Sequence, residues 1–108
     1  MTTIPLVQVE PRDEAVACTL TPGEYKDRTT DLSDLAARAL ISRAPIDGGQ
    51  RLTFIDIPAV ERELRAAVAA EASCCSFLSM SLTRTCEALV LDITGPEQAQ
   101  PVIAELFA

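Results

Sequence analysis

The sequence predicts an α+β fold, a two-layer sandwich in which one sheet of about four strands is covered on one face by helices, in the order β-α-β-α-β-β-α. Three observations predict it. Short stretches at 15–22, 51–57, 76–82 and 88–94 alternate apolar and polar residues or are rich in β-branched ones, as half-buried strands are. A longer segment, 58–75, repeats its apolar positions at helical spacing. Turn formers such as Gly48–Gly49 and Gly95–Pro96 separate these elements, with no repeat or low-complexity tract between them. At 108 residues the chain has the size of one domain and enough apolar residues for a core without staples. Residues 14–108 are expected to form that single domain, after a loosely ordered arm at 1–13 that carries Pro5, Pro11 and mixed charges.

In chain order, "AVACTLTP" sets Val16, Cys18 and Leu20 on one face of a first strand. The segment that follows opens with turn formers and becomes helical from Tyr25 or Asp31 to Ser42, with Pro45 ending it. "APIDGGQ" reads as a turn, and "RLTFIDI" as a second strand. Pro58 suits the first turn of a helix, which continues through "AVERELRAAVAAEASCC". "SFLSMSL" puts Leu78, Met80 and Leu82 on one side, "TRTCE" turns the chain, and "ALVLDIT" is the hairpin partner. A last helix begins in "GPEQAQPVIAELFA", broken or begun again at Pro101. Glu97 lies in its first turn, where a negative charge suits the helix dipole.

The formal net charge is −7, which argues against binding nucleic acid or an anionic membrane surface, since both demand Lys and Arg. The start of the chain lacks the basic and apolar regions of a targeting segment, and no run approaches the length of a bilayer span. The expected location is therefore cytoplasmic, where thiols stay reduced. There, four cysteines are expected to be reactive, ligating or buried rather than paired in disulfides. The chain contains no histidine. Cys–His catalysis, Cys₂His₂ zinc and histidine general-base chemistry are thereby excluded within the chain. Thiol and carboxylate chemistry remain.

Those two chemistries meet in "AAEASCCSF". At 100° per residue from Val60, Leu64 falls at roughly 40°, Ala67 at 340° and Val68 at 80°, which defines the buried stripe of the central helix. Glu71 falls at roughly 20°, with Cys75 at 60° and Cys74 at 320°. A carboxylate is thus aimed at the sheet, with one thiol to either side. Burying it costs several kcal/mol unless it gains a proton or a partner. The bland partner is an arginine, Arg84 or Arg51. The sharper ones are a cation, or a role in moving protons for neighbouring sulfur.

Taken singly, each cysteine packs as a small hydrophobe, and Cys86, in the turn, is incidental. The adjacent pair Cys74–Cys75 beside Glu71 asks for more. Neighbouring helical residues point about 100° apart, so a metal site would recruit a third thiol from another element. Cys18 is the candidate, because it shares a strand face with Val16 and Leu20. Cys18, Cys74 and Cys75 with Glu71 suit thiophilic ions such as Hg(II), Cu(I), Zn(II) or As(III). Vicinal Cys-Cys is neither the C-x₂-C spacing typical of zinc sites nor the redox C-x-x-C motif.

The run "EASCCSF", followed by a hairpin and "ITGPEQAQPVIAELF", resembles a family of small bacterial proteins that carry an E-x-x-C-C-x-F segment and are associated with heavy-metal resistance, mercury in particular. The "ACTLTP" strand fits the same family, so the resemblance spans most of residues 15–107. It implies that Cys18, Glu71, Cys74 and Cys75 are the functional positions and that Cys86 is not. Ser76 departs from the proline expected there in many relatives.

Three functions compete on this reading. The first is binding or transfer of a thiophilic heavy metal ion through clustered thiolates. The second is a thiol-chemistry enzyme acting on an organomercurial, a disulfide or a persulfide, with Glu71 supplying a proton. The third is a structural or interaction domain with buried cysteines, whose apolar "PVIAELFA" would join a homodimer interface.

Overall fold

The computed structural model describes residues 3–11, 22–74, 77–86 and 88–107, with the backbone alone for 22–29, 73 and 74. Strand β1 (Ile4–Val9) comes first, then helix α1 (Pro22–Ala39), strands β2 (Leu40–Ile46) and β3 (Gly49–Ile55), helix α2 (Pro58–Cys74), and strands β4 (Ser79–Arg84) and β5 (Ala88–Thr94). A short 3₁₀ turn (Glu97–Ala99) runs into helix α3 (Gln100–Glu105). The α+β class is as the sequence predicts. The strands form one antiparallel sheet in the order β1-β4-β5-β3-β2.

Among the described residues that sheet has five strands, where about four were expected, and its edges are the reason. Residues 4–9, read as part of a loose arm, pair with β4 from Ile4↔Arg84 to Val9↔Met80. Residues 40–46, read as helix end and turn, pair with β3. Each edge strand contains a proline, Pro5 or Pro45, which removes one N–H but costs no ladder bond when that N–H faces outward. Helix α1 accordingly stops at Ala39 rather than Ser42, and the turn shrinks to Asp47–Gly48, with Gly48 in the left-handed region at φ +81°. Gly49 is needed for a different reason. A Cβ there would lie 1.8 Å from the Ile93 carbonyl oxygen across the ladder. The predicted strand at 15–22 lies outside the described residues except for Pro22, the first residue of α1.

Period-two alternation sends Leu52 and Phe54, Met80 and Leu82, and Leu89, Leu91 and Ile93 to one face, all buried. Helix α1 covers that face with Leu32, Leu35, Ala36 and Ala39, and α2 with Val60, Leu64 and Val68. Ile103, Leu106 and Phe107 complete the same core, and Phe107 meets Phe54 edge to face with ring centroids 5.5 Å apart. The apolar side chains of "PVIAELFA" that suggested a dimer interface are therefore largely spent inside the fold. The opposite sheet face is polar, with Thr53, Ser81, Thr83 and an Arg51–Asp92 ion pair at 2.8 Å, as an antiparallel sheet with one wet side allows. No described helix is long and apolar enough to cross a membrane.

Topology gives the molecule two distinct ends. Leu40, directly after α1, pairs with Phe54, just before α2, so both helices meet the sheet at one end. There Arg38 reaches Glu63 at 3.0 Å. The helices run antiparallel from that junction, and α2 stops at the opposite end, where Val9, Ser79, Thr94 and Gly49 also stand.

Candidate functional site

The central helix buries the stripe its sequence predicts. Val60 is 4% exposed, Leu64 0% and Val68 1%, and Glu71 continues the row at 4%. Among the described residues, Glu71 is the one charged side chain in the buried class. Arg62 and Arg65 lie on the exposed face. The carboxylate thus sits one turn before Cys74, the last residue of α2, and Phe77 and Leu78, just beyond, are buried at 2% and 0%.

Neither arginine weighed as the plain partner of Glu71 is placed for that role by its own ion pairs. Arg84 gives Nε to Asp56 at 2.9 Å and Nη2 to Glu61. Arg51 holds Asp92 through Nε at 2.8 Å and Nη2 at 2.9 Å, on the polar sheet face. Glu61 also accepts Nε of Arg65 at 2.9 Å, so Asp56, Arg84, Glu61 and Arg65 form a chain of alternating charge. Hydrogen bonds from Arg65 and then Arg84 hold the Glu61 carboxyl below its ordinary value of 4.5. The Asp56 and Glu61 carboxylates in turn raise the Arg84 pKa and keep its charge fixed. Only the Glu61–Arg65 link, at i,i+4, had a signal in the sequence. Asp56 and Arg84 meet through the sheet.

Of the predicted site residues, Glu71 is described in full and Cys74 as the final helical residue. Cys18 and Cys75 lie outside the described residues. Among the described residues, no group of three or more cysteines and carboxylates is placed to hold a metal ion. Cys86 is exposed in the β4–β5 turn, where Thr85 closes the hairpin: its N–H donates to the Ala88 carbonyl at 2.9 Å, and its Oγ1 accepts the Ala88 N–H at 3.1 Å.

The described residues that flank the segment carrying Cys18 are Pro11 and Pro22. Pro11 shares a cleft wall with Phe77 and Ser79, at the end where α2 stops. Pro22 begins α1, whose other end is at the Arg38–Glu63 junction. At 1.5 Å per residue, α1 extends about 24 Å from Arg38 back to Pro22, and α2 about 17 Å from Glu63 to Cys74. The first turns of α1 therefore reach as far as the last turn of α2.

No protein-family model matches the chain, and no curated protein or solved structure does either.

Proposed function

We propose that this protein binds a thiophilic heavy metal ion in the cytoplasm, through the thiolates of Cys18, Cys74 and Cys75 with Glu71 as fourth ligand or proton shuttle, and sequesters it or passes it on by ligand exchange. The observation that carries the reading is the burial of Glu71 in the apolar stripe of α2, three residues before Cys74, the last residue of that helix. A packing role alone gives no reason for a carboxylate in that row. Two further points support it. Thiolates with a carboxylate are a donor set for soft or borderline ions rather than for Mg or Ca. Pro11, the described residue before the Cys18 segment, lines the cleft wall with Phe77 near the end of α2, and α1, which follows that segment, is long enough to reach past that end.

Native mass spectrometry of the reduced protein with Hg(II), Cu(I), Zn(II) and As(III) in turn tests this. One soft ion is expected per chain. The Cys74→Ser, Cys75→Ser double variant loses it, and Cys18→Ser weakens it. Uptake by the double variant equal to that of the wild type refutes the proposal.

A further inference from the structure

The described helices cover one face of the sheet. On the other, Ser42, Ala44 and Ile55 are exposed, and Thr53, Ser81 and Val90 are half-buried between neighbouring strands. The ladder register fixes how that face is laid out. One row runs Ala44, Arg51, Asp92, Ser81 and Gln8 across β2, β3, β5, β4 and β1. The next runs Ser42, Thr53, Val90, Thr83 and Pro5 across the same strands. In these two rows only Arg51 and Asp92 are charged, and their charges cancel, in a chain whose net charge is −7.

Arg51 and Asp92 stand side by side on β3 and β5, near the middle of the sheet. The guanidinium uses Nε and Nη2 on Asp92. It keeps N–H donors at Nη1, on a side chain that is 52% exposed. The Asp92 side chain is 27% exposed, and its oxygens have lone pairs beyond those two bonds. Opposite charges set side by side on a flat face are their own complement.

We infer that this open sheet face binds a second copy of the chain, sheet against sheet. A two-fold axis running along the strands, between β3 and β5, puts Arg51 of each copy opposite Asp92 of the other, so one operation yields both contacts. The same operation sets Thr53 against Val90. It lays β2, with its small Ser42 and Ala44, against Thr83 and Ser81 of β4. Two chains of charge −7 repel one another at long range. A self-contact therefore belongs where the surface is neutral and its charges match in pairs. With strands about 4.8 Å apart, four strands by six residues offer about 400 Å² of plane per copy. Side-chain relief adds to that, and the sum lies near the low end of specific interfaces. The dimer is accordingly weak and reversible. It is also closed, because a two-fold contact uses the same face of both copies. None of the four residues assigned to metal binding takes part, so failure of either assignment leaves the other standing.

Sedimentation velocity of the reduced whole chain between about 1 and 1,000 µM tests it, with circular dichroism as the control for folding. The wild type should pass from one chain to two with a dissociation constant of about 10–100 µM. Arg51→Asp leaves two acids in the row and Asp92→Arg two bases, and each should weaken self-association at least about tenfold. Asp92→Arg also lowers the net charge of the chain, and would strengthen association if overall repulsion decided it. Mixed in equal amounts, the two variants should form a heterodimer at least as tight as the wild-type dimer. Both changes in one chain should recover self-association. A wild type that stays monomeric to the top of the range leaves the face to some other partner and overturns the inference. Association indifferent to both reversals, a mixture that does not pair, or growth beyond two chains would overturn it equally.

Discussion

Arg84 joins the end of a strand to the start of a helix, with Asp56 on one side of its guanidinium and Glu61 on the other. This is a residue-scale arrangement with a pH signature. The Glu61 carboxyl is held below its ordinary value of 4.5 in the folded chain, so the unfolded chain takes up its proton first as the pH falls. The stability Glu61 contributes is therefore complete above its unfolded pKa and is lost as the pH drops through the folded one. Urea midpoints measured between pH 7 and pH 3 should decline in the acidic part of that range, and Glu61→Gln should flatten part of the decline while lowering stability at neutral pH. A parallel decline in wild type and variant would assign the effect to other carboxylates. At this scale the sequence was informative wherever a helix set the spacing. The wheel that carried Val60, Leu64 and Val68 inward carried Glu71 with them, and the i,i+4 pair of Glu61 and Arg65 is local. Arg84 and Asp56 are far apart in the chain and adjacent only because β4, β5 and β3 are neighbours, which no local pattern encodes.

Among the elements, α3 shows how a helix of only six residues is held in place. Arg43 on β2 donates to the carbonyls of Leu106 at 3.0 Å and Phe107 at 2.6 Å, and also to Gln50 Oε1 at 2.9 Å. Leu106 and Phe107 directly follow the helix; Arg43 also donates to the Ala104 carbonyl in its last turn at 3.4 Å, and a guanidinium suits the negative end of the dipole. Phe107, at φ 60°, is a non-glycine residue in the left-handed region, a conformation that costs free energy unless its surroundings hold it. Its ring against Phe54 and its carbonyl on Arg43 do so. Arg43→Ala should lower stability by about 1–3 kcal/mol, read as a fall in urea midpoint accompanied by loss of the Phe107 ring contacts in NMR spectra. An unchanged midpoint would show that burial of Ile103, Leu106 and Phe107 holds the helix by itself. Elements with strong periodicity were legible: α2 begins at Pro58 and β5 spans 88–94, both as expected. The two edge strands were not, because each contains a proline and a register shift, between Pro5 and Val7 and between Leu40 and Ser42. Those are the features a pattern search treats as breaks.

For the whole molecule, the same interruptions have a purpose. Among the described strands β1 and β2 are the sheet edges; an edge strand presents unpaired N–H and C=O groups to any other chain, and prolines and bulges blunt it. Removing both guards with Pro5→Val and Pro45→Val should leave the fold intact while producing concentration-dependent association, measured by light scattering at matched circular dichroism. A double variant as monodisperse as the wild type would mean that strand length alone protects the edges. Fold class and the side of the sheet that faces the helices followed from alternation and from one amphipathic helix. Strand order and the fifth strand did not, because pairing partners are chosen by long-range packing.

Among the described residues β1 pairs with β4, across most of the chain, with Ile4 opposite Arg84 and Val9 opposite Met80. The two hairpins, β2–β3 and β4–β5, close over short loops and face a much smaller entropic barrier. While the protein is being made or is refolding, β4 therefore waits with one side bare. During that interval its backbone is as available to a neighbouring chain as to its own first strand, and crowding at that moment is the circumstance in which this fold is most exposed to error.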